Sequence, residues 1–479
     1  MVVTAWALGG PLAGASATKV ILMDHGGHAT VQDDPFLRPG GLTPAPSSRA
    51  PGAISATPSR SSPRTVRSVL AQLKRKHQIT TAAYRRYTGD VNGALKEVKR
   101  LSQARGDELD AVIENLHGMA VRGSLTASRL PVLFLTLDRN VQYWKSGPAL
   151  TYGQRVEFAG SELVWEYYPG QGIELQQLGS FGKAQWLCSA GESLEDRCRE
   201  MLAELVPLAV RRGGGLTWEY YFNFDGGAPP WTSAMSQGTA LQALADAYKE
   251  IGDRSYLVVA HSALPVFSRP PSSGVGVKTD LGMRYVEYSF DSSRHDEVIN
   301  AFLQTLIGLD DYAQVSGDPV AQRLFDEGDA EAQAELPHFN TGAWSLYRPG
   351  VEDDLSYHQL VTGFLKQLCS MTKIPVYCRT ADAFELDLRT PAKLRLVTTH
   401  LKAQRAANVY FTVSKISRVG ITITRNGRTV FLTSASFTHG EHHFAIPRLK
   451  AFGTYAVLLD ATDLAGNYSH TSTPLQVSH

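Results

Sequence analysis

Near Arg395 the spacing of apolar residues changes period, and this change constrains the fold more than any other feature of the chain. Before it, apolar residues recur at three and four positions, as in Val66, Val69, Leu70 and Leu73, or Leu109, Val112, Ile113, Leu116 and Met119. That spacing places them on one face of a helix. After it, NVYFTVSKISRVGITITRNGRTVFLTSASF alternates with period two and carries Asn426-Gly427, a strong hairpin signal. HHFAIP, TYAVLLDATDLAGN and TPLQV follow at regular intervals. The spacing predicts a mainly α chain ending, over 393–479, in a small immunoglobulin-like β-sandwich. Its expected role is that of a spacer or adhesion module.

A chain of 479 residues is too long for one ordinary core, so two or three domains are expected. The opening MVVTAWALGGPLAGASA (1–17) reads as an export signal with Ala15-Ser16-Ala17 as cleavage site, although the usual positive start is missing. Pro, Ser, Gly and Ala dominate Pro35 to Pro63, and a disordered linker is expected over 18–64. A helical region of two or three helices should follow over 65–150. LPVLFLTL (130–137) is too short to classify by periodicity. No later stretch approaches the roughly 18–20 apolar residues of a membrane span, so the expectation is a secreted, extracellular protein. Cys188 and Cys198 bracket one short loop, Cys369 and Cys378 another. This suits two disulfides, although four cysteines allow three pairings and buried free thiols remain the alternative. No cysteine or histidine cluster has metal-site spacing.

Over 151–392 the pattern is helices alternating with long loops. GQRVEFAGSELVWEYYPGQG reads as a hairpin leading to the turn-rich tip Tyr167–Gly172. Ser193 with Asp196 has capping-box spacing ahead of the face Leu194, Cys198, Met201, Leu202 and Leu205. Further faces are Leu241, Leu244, Tyr248 and Ile251, then Val298, Phe302 and Leu306 flanked by Ile299, Leu303 and Ile307. Aromatic, glycine-rich loops precede several of these helices. An α/α barrel, or toroid, with its loops gathered at one mouth is the predicted catalytic domain.

Charge excludes a general polyanion-binding field, since 47 basic and 46 acidic residues leave +1. Nucleic acid is therefore not an expected partner, and an anionic glycan would need a local cleft. Gly-rich phosphate loops, HExxH and GxSxG are absent. What remains is an aromatic and carboxylate set: Tyr168, Trp218, Tyr220, Tyr221, Trp231 and Trp344 fall beside polar residues. Rings of this kind stack on the apolar faces of sugars. The alternative is that they pack the interior. Between Met283 and His358 sit four groups able to move protons, Glu287, Tyr288, Tyr347 and Tyr357. The first two are expected at the end of a strand and the others in loops.

PPWTSAMSQGTALQALADAY, YVEYSF with VINAFLQTLIGLDDY, LPHFNTGAWSLY and SYHQL, in that order, resemble the C-terminal domain of the D-glucuronyl C5-epimerases, over about Trp165 to Leu368. Those enzymes convert D-glucuronate to L-iduronate within heparosan or heparan chains, and their helical domain is an α/α barrel. The resemblance implies catalytic roles for Glu287 and Tyr288, which stand in Val-Glu-Tyr-Ser where the family has Glu-Glu-Tyr-Pro. It implies others for Tyr347, after Asn-Thr-Gly-Ala-Trp-Ser-Leu, and for Tyr357, before His358 with Ser356 in place of an acid. The expected substrate-binding set is Tyr168, Gln171, Trp231, Gln237, Arg284, Trp344, Arg348 and His358. One departure concerns the uronate carboxylate. The family's arginine follows in Asp-Leu-Arg-His, whereas this chain has Arg348-Pro349-Gly350, so Arg348 is displaced and Arg284 and Lys183 are alternative cations. The resemblance leaves room for a homodimer and for a structural calcium ion. No EF-hand-like run of acids supports the calcium, and no other cofactor is expected.

Inverting carbon 5 of a uronate removes a weakly acidic proton beside a carboxylate and returns one from the other face. The enolate needs preorganised donors, each contributing on the order of 3–4 kcal/mol. Two proton carriers on opposite faces each add about 10²–10⁴-fold. Glu287, with Tyr288 as relay, is assigned to one face and Tyr357 to the other. Tyr347 is assigned to the enolate, and His358 to orienting its neighbours. All four are then expected to line one cleft. Three other readings stand beside this one. A toroidal polysaccharide lyase shares the first step. A glycoside hydrolase would pair Glu287 with Glu166, Glu219 or Asp354. The third is an inactive secreted glycan-binding protein.

Overall fold

The computed structural model describes residues 19–34, 36, 65–290 and 297–478. The expected export signal and most of the expected linker lie outside them. Two compact units divide at Ala332 and Gln333, well before the boundary at 393 that the change of period suggests.

The first unit opens with a finding against the predicted linker. Strand β1 (Lys19–Met23) and strand β2 (Ala29–Asp33) form an antiparallel pair. In KVILM, Val20, Ile21 and Met23 are buried, and that apolar surface is what a linker composition cannot offer. Four helices follow, one or two more than predicted: α1 (Val66–Arg75), α2 (Thr81–Val98), α3 (Gln103–Arg122) and α4 (Leu130–Ser146). Thr65 caps α1 with a reciprocal box through Ser68. The ambiguous run LPVLFLTL forms α4, with Pro131 in its first turn, where the missing N–H costs nothing.

Strands β3 (Arg155–Phe158), β4 (Trp165–Tyr168) and β5 (Gly172–Leu175) form the predicted hairpin region as an antiparallel meander. β3 also pairs in parallel with β1, giving a five-stranded sheet in the order β2-β1-β3-β4-β5. Gly172 closes the β4–β5 turn at φ +81°, where a Cβ would also meet the Val112 side chain at 2.6 Å.

Helix α5 (Gln177–Ser189) and helix α6 (Glu195–Leu205) are joined by the Cys188–Cys198 disulfide. Ser193 lies in a 3-10 turn ahead of α6, whose N-cap is Leu194, so the proposed capping box does not form. The small hairpin β6 (Val210–Arg212) and β7 (Gly215–Thr217) follows. Then come α7 (Ala234–Ile251), α8 (Ser255–Ala263), the hairpin β8 (Gly276–Lys278) and β9 (Met283–Tyr285), α9 (Ile299–Ser316) and α10 (Pro319–Glu335).

Helix α7 packs against α5 and α9. Every residue from Ala234 to Ala247 is buried, the mark of a helix covered on all sides. It approaches α9 so closely that a Cβ on Gly308 would stand 1.9 Å from the Gly238 carbonyl oxygen. Of the apolar faces read from the sequence, Leu194, Tyr248 and Ile251 are only half-buried, whereas Phe302, Leu303, Leu306 and Ile307 are all inaccessible to solvent. Each such side chain contributes roughly 1.5–3 kcal/mol.

The second unit contains the short hairpin β10 (Leu346–Arg348) and β11 (Val351–Glu352), then α11 (Leu355–Thr372) and α12 (Pro375–Asp387), linked by the Cys369–Cys378 disulfide. Its β-rich end has eight strands: β12 (Leu394–Leu396), β13 (His400–Lys402), β14 (Ala407–Val413), β15 (Ser417–Arg425), β16 (Arg428–Phe437), β17 (Gly440–Ile446), β18 (Gly453–Asp463) and β19 (Tyr468–Ser478). They form a three-stranded sheet, β12-β14-β17, and a five-stranded sheet, β13-β19-β18-β15-β16. Alternate residues of both, including Val409, Phe411, Ile421, Val457 and Leu475, share one core. Asn426-Gly427 makes the β15–β16 turn with both residues at positive φ, as its dipeptide predicts.

Candidate functional site

The first unit holds Glu287 and Tyr288. They lie just past β9, in a segment pinned to the entrance of α7 by main-chain bonds. Ser289 N donates to the Thr232 carbonyl at 2.9 Å, and Ala234 N donates to the Val286 carbonyl at 3.2 Å. Ser289 Oγ in turn accepts from Thr232 N at 2.9 Å and from Arg212 Nη2 at 3.2 Å. Ser233 is the N-cap of α7, and its hydroxyl donates to Glu287 Oε1 at 2.9 Å.

Glu287 is buried, and burial pushes its carboxyl up to about 8, with the Ser233 bond acting in the opposite direction. The positive end of the eighteen-residue helix behind Ser233 also favours the ionised form. Burial wins nonetheless, so the group changes charge near neutral pH, where a general acid or base is effective. At neutral pH the protonated form is the favoured one.

Tyr288 is half-buried on the other side of the segment. Its ring meets Phe224 and Trp231, each at 5.6 Å, and stacks on Phe290 at 5.1 Å. These rings join the cluster of Tyr168, Tyr220, Phe222 and Trp231. The aromatic residues expected at a barrel mouth are buried here. Trp231 stacks on Tyr220 at 4.2 Å and donates from its indole to the Phe222 carbonyl. Tyr168 packs on Phe222 at 4.4 Å and accepts from Gln176 Nε2 at 2.8 Å. Trp218 donates to the Leu205 carbonyl from a fully enclosed position.

Tyr220 sits between two acids. Its hydroxyl donates to Gln176 Oε1 at 2.8 Å and accepts from Leu178 N at 2.9 Å. Burial first, and then both Glu287 and Glu166, hold it protonated. Glu166 stands opposite Arg155 on β3 and Glu174 on β5. Burial raises its carboxyl to about 7, against the pull of Arg155. Glu174, equally buried, is raised by the same burial. Glu219 is different, because Arg129 grips it through two bonds of 2.6 and 2.8 Å and Arg212 adds a third at 2.7 Å. A carboxylate so engaged anchors structure and is poorly placed to carry protons.

Two of the remaining binding candidates in this unit are occupied by the fold. Gln171 Oε1 accepts from Asn223 N at 2.9 Å and from Asn115 Nδ2 at 3.2 Å. Gln237 brackets the Trp218 main chain, donating to its carbonyl at 3.0 Å. Of the candidate cations, Lys183 is committed to Glu157 and Glu162, both at 2.8 Å. Arg284 is buried over the Phe302 ring at 5.3 Å, and burial lowers its guanidinium to about 10 against the pull of Glu297 and Glu331.

The second unit holds Tyr347 and Tyr357, neither of them in a loop. Tyr347 is the middle residue of β10, with half-buried Arg348 beside it, and Tyr357 lies in the first turn of α11. Asp354 caps that helix, and Tyr357 N donates to its Oδ1 at 2.9 Å. The two tyrosine rings meet edge to face at 5.0 Å. Behind them Trp344 and His358 are fully buried and stacked at 3.7 Å, with the Trp344 indole donating to the Asp353 carbonyl at 2.9 Å. His358 thus packs inside the unit. The expectation that Glu287, Tyr288, Tyr347 and Tyr357 line one cleft involves both units, and each unit shows its own pair.

Two features were missed in the sequence: Ser233 beneath Glu287, and Asp353 with Ser345 around His358. For Ser233 there was a signal, a serine one residue before an apolar helical run. Among the described residues no group of three or more His, Cys, Asp or Glu side chains could hold a metal ion. No helix among them is long and apolar enough to cross a membrane.

Residues 213–385 match the family described as D-glucuronyl C5-epimerase C-terminus. The stretch begins later than Trp165 and contains Glu287, Tyr288, Tyr347 and Tyr357. A D-glucuronyl C5-epimerase of Caenorhabditis elegans is 31% identical over 176 residues, 32% of this chain and 28% of the relative. An uncharacterized protein of Methanocaldococcus jannaschii is 28% identical over 137 residues, 28% of this chain and 44% of the relative. The chain therefore spans less than half the length of either curated relative. A solved cellobiose 2-epimerase of Bacillus thermoamylovorans is 12% identical, with a TM-score of 0.35 over 45% of this chain and 61% of that one; a likeness this slight carries no argument. Residues 213–385 are thus a stretch of the D-glucuronyl C5-epimerase C-terminus family.

Proposed function

We propose that the chain is a carbohydrate epimerase inverting carbon 5 of D-glucuronate to L-iduronate in an anionic, heparosan- or heparan-like polysaccharide. The observation that carries this reading is Glu287. It is a buried carboxyl raised to about 8, held by Ser233 at a helix N-terminus, within the stretch that matches the family.

In this reading the ionised Glu287 takes the proton from carbon 5, with Tyr288 as relay. The electron pair of the broken C–H bond moves onto the uronate carboxylate. Tyr347 donates a hydrogen bond to that enolate, and Tyr357 returns a proton to the opposite face of carbon 5. Arg348 and Arg284 are the cations proposed for the carboxylate. Tyr168, Gln171, Trp231, Gln237, Trp344 and His358 are read as supports of the site. The helices of 151–392 are read as an α/α barrel, and the eight strands after them as an immunoglobulin-like sandwich serving as spacer. The two disulfides support an extracellular setting, and a homodimer is part of the same reading.

Incubation with heparosan in heavy water tests it. Deuterium at carbon 5 together with iduronate signals in the NMR spectrum is the expected result. An unsaturated product absorbing in the ultraviolet would replace epimerisation by elimination. Chain shortening without unsaturation would indicate hydrolysis.

A further inference from the structure

In the second unit, Asp353, Ser345 and His358 form a buried chain with a definite proton count. His358 Nε2 lies 3.0 Å from the Phe384 carbonyl oxygen, which can only accept, so Nε2 carries a hydrogen. The Ser345 backbone N–H points at Nδ1 at 3.3 Å, so Nδ1 is bare. Ser345 Oγ stands 2.7 Å from that same Nδ1 and must donate its single hydrogen to it. Asp353 Oδ2 lies 2.5 Å from Ser345 Oγ. With the serine hydrogen already used, the hydrogen in that contact belongs to Asp353.

The surroundings agree. Burial raises the Asp353 carboxyl to about 7 and lowers the His358 imidazole to about 4. Asp353 Oδ1 is buried with no hydrogen-bond partner, which suits a neutral acid far better than a carboxylate. The charged groups around the chain favour the same state. Asp354, next in sequence, opposes a second negative charge. Lys415 lies 4.9 Å from the centre of the Trp344 ring and opposes a charged His358, although its own charge is taken up by Asp463 at 2.6 Å. On α12, burial raises the Asp387 carboxyl against the pull of Lys415, whose Nζ donates to the Asp387 main-chain carbonyl, and Glu385 pairs with Lys366 at 2.7 Å; Glu352 accepts from the Ile416 main chain at 3.0 Å.

The chain ties together the two elements that carry the tyrosines. Ser345 precedes Tyr347 by two residues, and His358 follows Tyr357 directly. We propose that Asp353, Ser345 and His358 are positioning residues whose shared proton holds Tyr347 and Tyr357 in register. When Asp353 ionises, the Ser345 hydroxyl must turn towards it. Its lone pairs then face bare Nδ1 at 2.7 Å, and the link between β10 and α11 loosens. The proposal rests on the catalytic reading of the two tyrosines, but the device itself can be observed without turnover.

The test uses the full chain carrying 3-fluorotyrosine, with Tyr347→Phe and Tyr357→Phe assigning the signals. In the wild type, both fluorine signals should move together through one transition as pH rises, while the ¹⁵N shifts of His358 keep the Nε2–H tautomer. In Asp353→Asn the amide donates to Ser345 at every pH, so the transition should vanish while the low-pH signals persist. A transition that survives in Asp353→Asn overturns the proposal, as does an Nδ1–H tautomer in the wild type. The second result needs no variant to fold. If heparosan shows carbon-5 exchange, Asp353→Asn should also retain at alkaline pH the activity the wild type loses, with KM unchanged and kcat carrying the difference. Absence of exchange in the wild type would remove the epimerase reading and leave the fluorine and nitrogen results to decide the positioning proposal.

Discussion

The Ser233 hydroxyl, at the N-cap of α7, donates to Glu287 Oε1 at 2.9 Å, so one serine both starts a buried helix and lowers the cost of charging a buried acid. Ser233→Ala removes both effects. Loss of the cap should lower stability by about 1 kcal/mol. Loss of the bond should push the Glu287 carboxyl above the value near 8 it now has. If the ionised group is the base, it gives the rate a rising limb at that value; in the Asp353→Asn background, where the alkaline loss linked to Asp353 is absent, Ser233→Ala should move that limb to higher pH. Deuterium incorporation into heparosan between pH 6 and 10 measures the limb. An unmoved limb in a folded variant would separate Glu287 from the proton transfer.

Glu287 should also make the folded state sensitive to alkali. Its carboxyl is raised from 4.5 to about 8, so between those values the folded chain binds the proton more tightly than the unfolded chain. Its contribution is complete below the unfolded value and is lost as pH rises to the folded one. In Glu287→Gln this loss disappears. The melting temperatures of the two proteins, compared by calorimetry, should diverge in favour of the variant from pH 5 to pH 9. The gain is on the order of a few kcal/mol. Carbon-5 exchange should be absent in the variant at every pH.

The helical faces, the hairpin at Tyr167–Gly172, the Asn426-Gly427 turn and both cysteine pairs were legible in the sequence because each rests on local spacing. Phe302 and Leu306 repeat at the helical period whatever packs against them. The errors came where tertiary contact decides. KVILM was assigned to a linker because nothing near it in sequence shows β3, its parallel partner, whose paired residues lie 135 positions on. Tyr357 was placed in a loop because Asp354, which caps its helix, was read as a carboxylate candidate only. At the site, Glu287 was identifiable from its motif, but burial of its carboxyl depends on α7. Asp353 went unnoticed because its partners Ser345 and His358 stand in separate motifs.

The contact of α7 with α9 yields a stability prediction independent of function. A methyl group on Gly308 would fall 1.9 Å from the Gly238 carbonyl oxygen, main chain that cannot swing aside. Gly308→Ala gains roughly 1 kcal/mol of intrinsic helix propensity. Overpacking costs typically 1–3 kcal/mol and more where backbone must move, so the net effect should be clear destabilisation. Gly363→Ala, on α11 with open space around it, is the control and should be neutral or slightly stabilising. Chemical denaturation of both variants checks the sign.

Tyr347 and Tyr357 meet at 5.0 Å but have different assigned tasks, and phenylalanine substitutions should tell them apart. In the proposed reading Tyr357 returns the proton, so Tyr357→Phe should abolish solvent-deuterium incorporation at carbon 5. In the same reading Tyr347 gives one hydrogen bond to the enolate, and losing one such donor costs about 10²–10³-fold in kcat. Exchange should therefore remain measurable in Tyr347→Phe, with KM little changed, because the bond strengthens only as charge develops. Both substitutions keep the ring and its edge-to-face contact, so melting temperatures should stay close to the wild type. If Tyr357→Phe exchanges at the wild-type rate, Tyr357 is not the second proton carrier. If the two variants lose the same moderate factor, both tyrosines act as hydrogen-bond donors and the returning proton comes from another group.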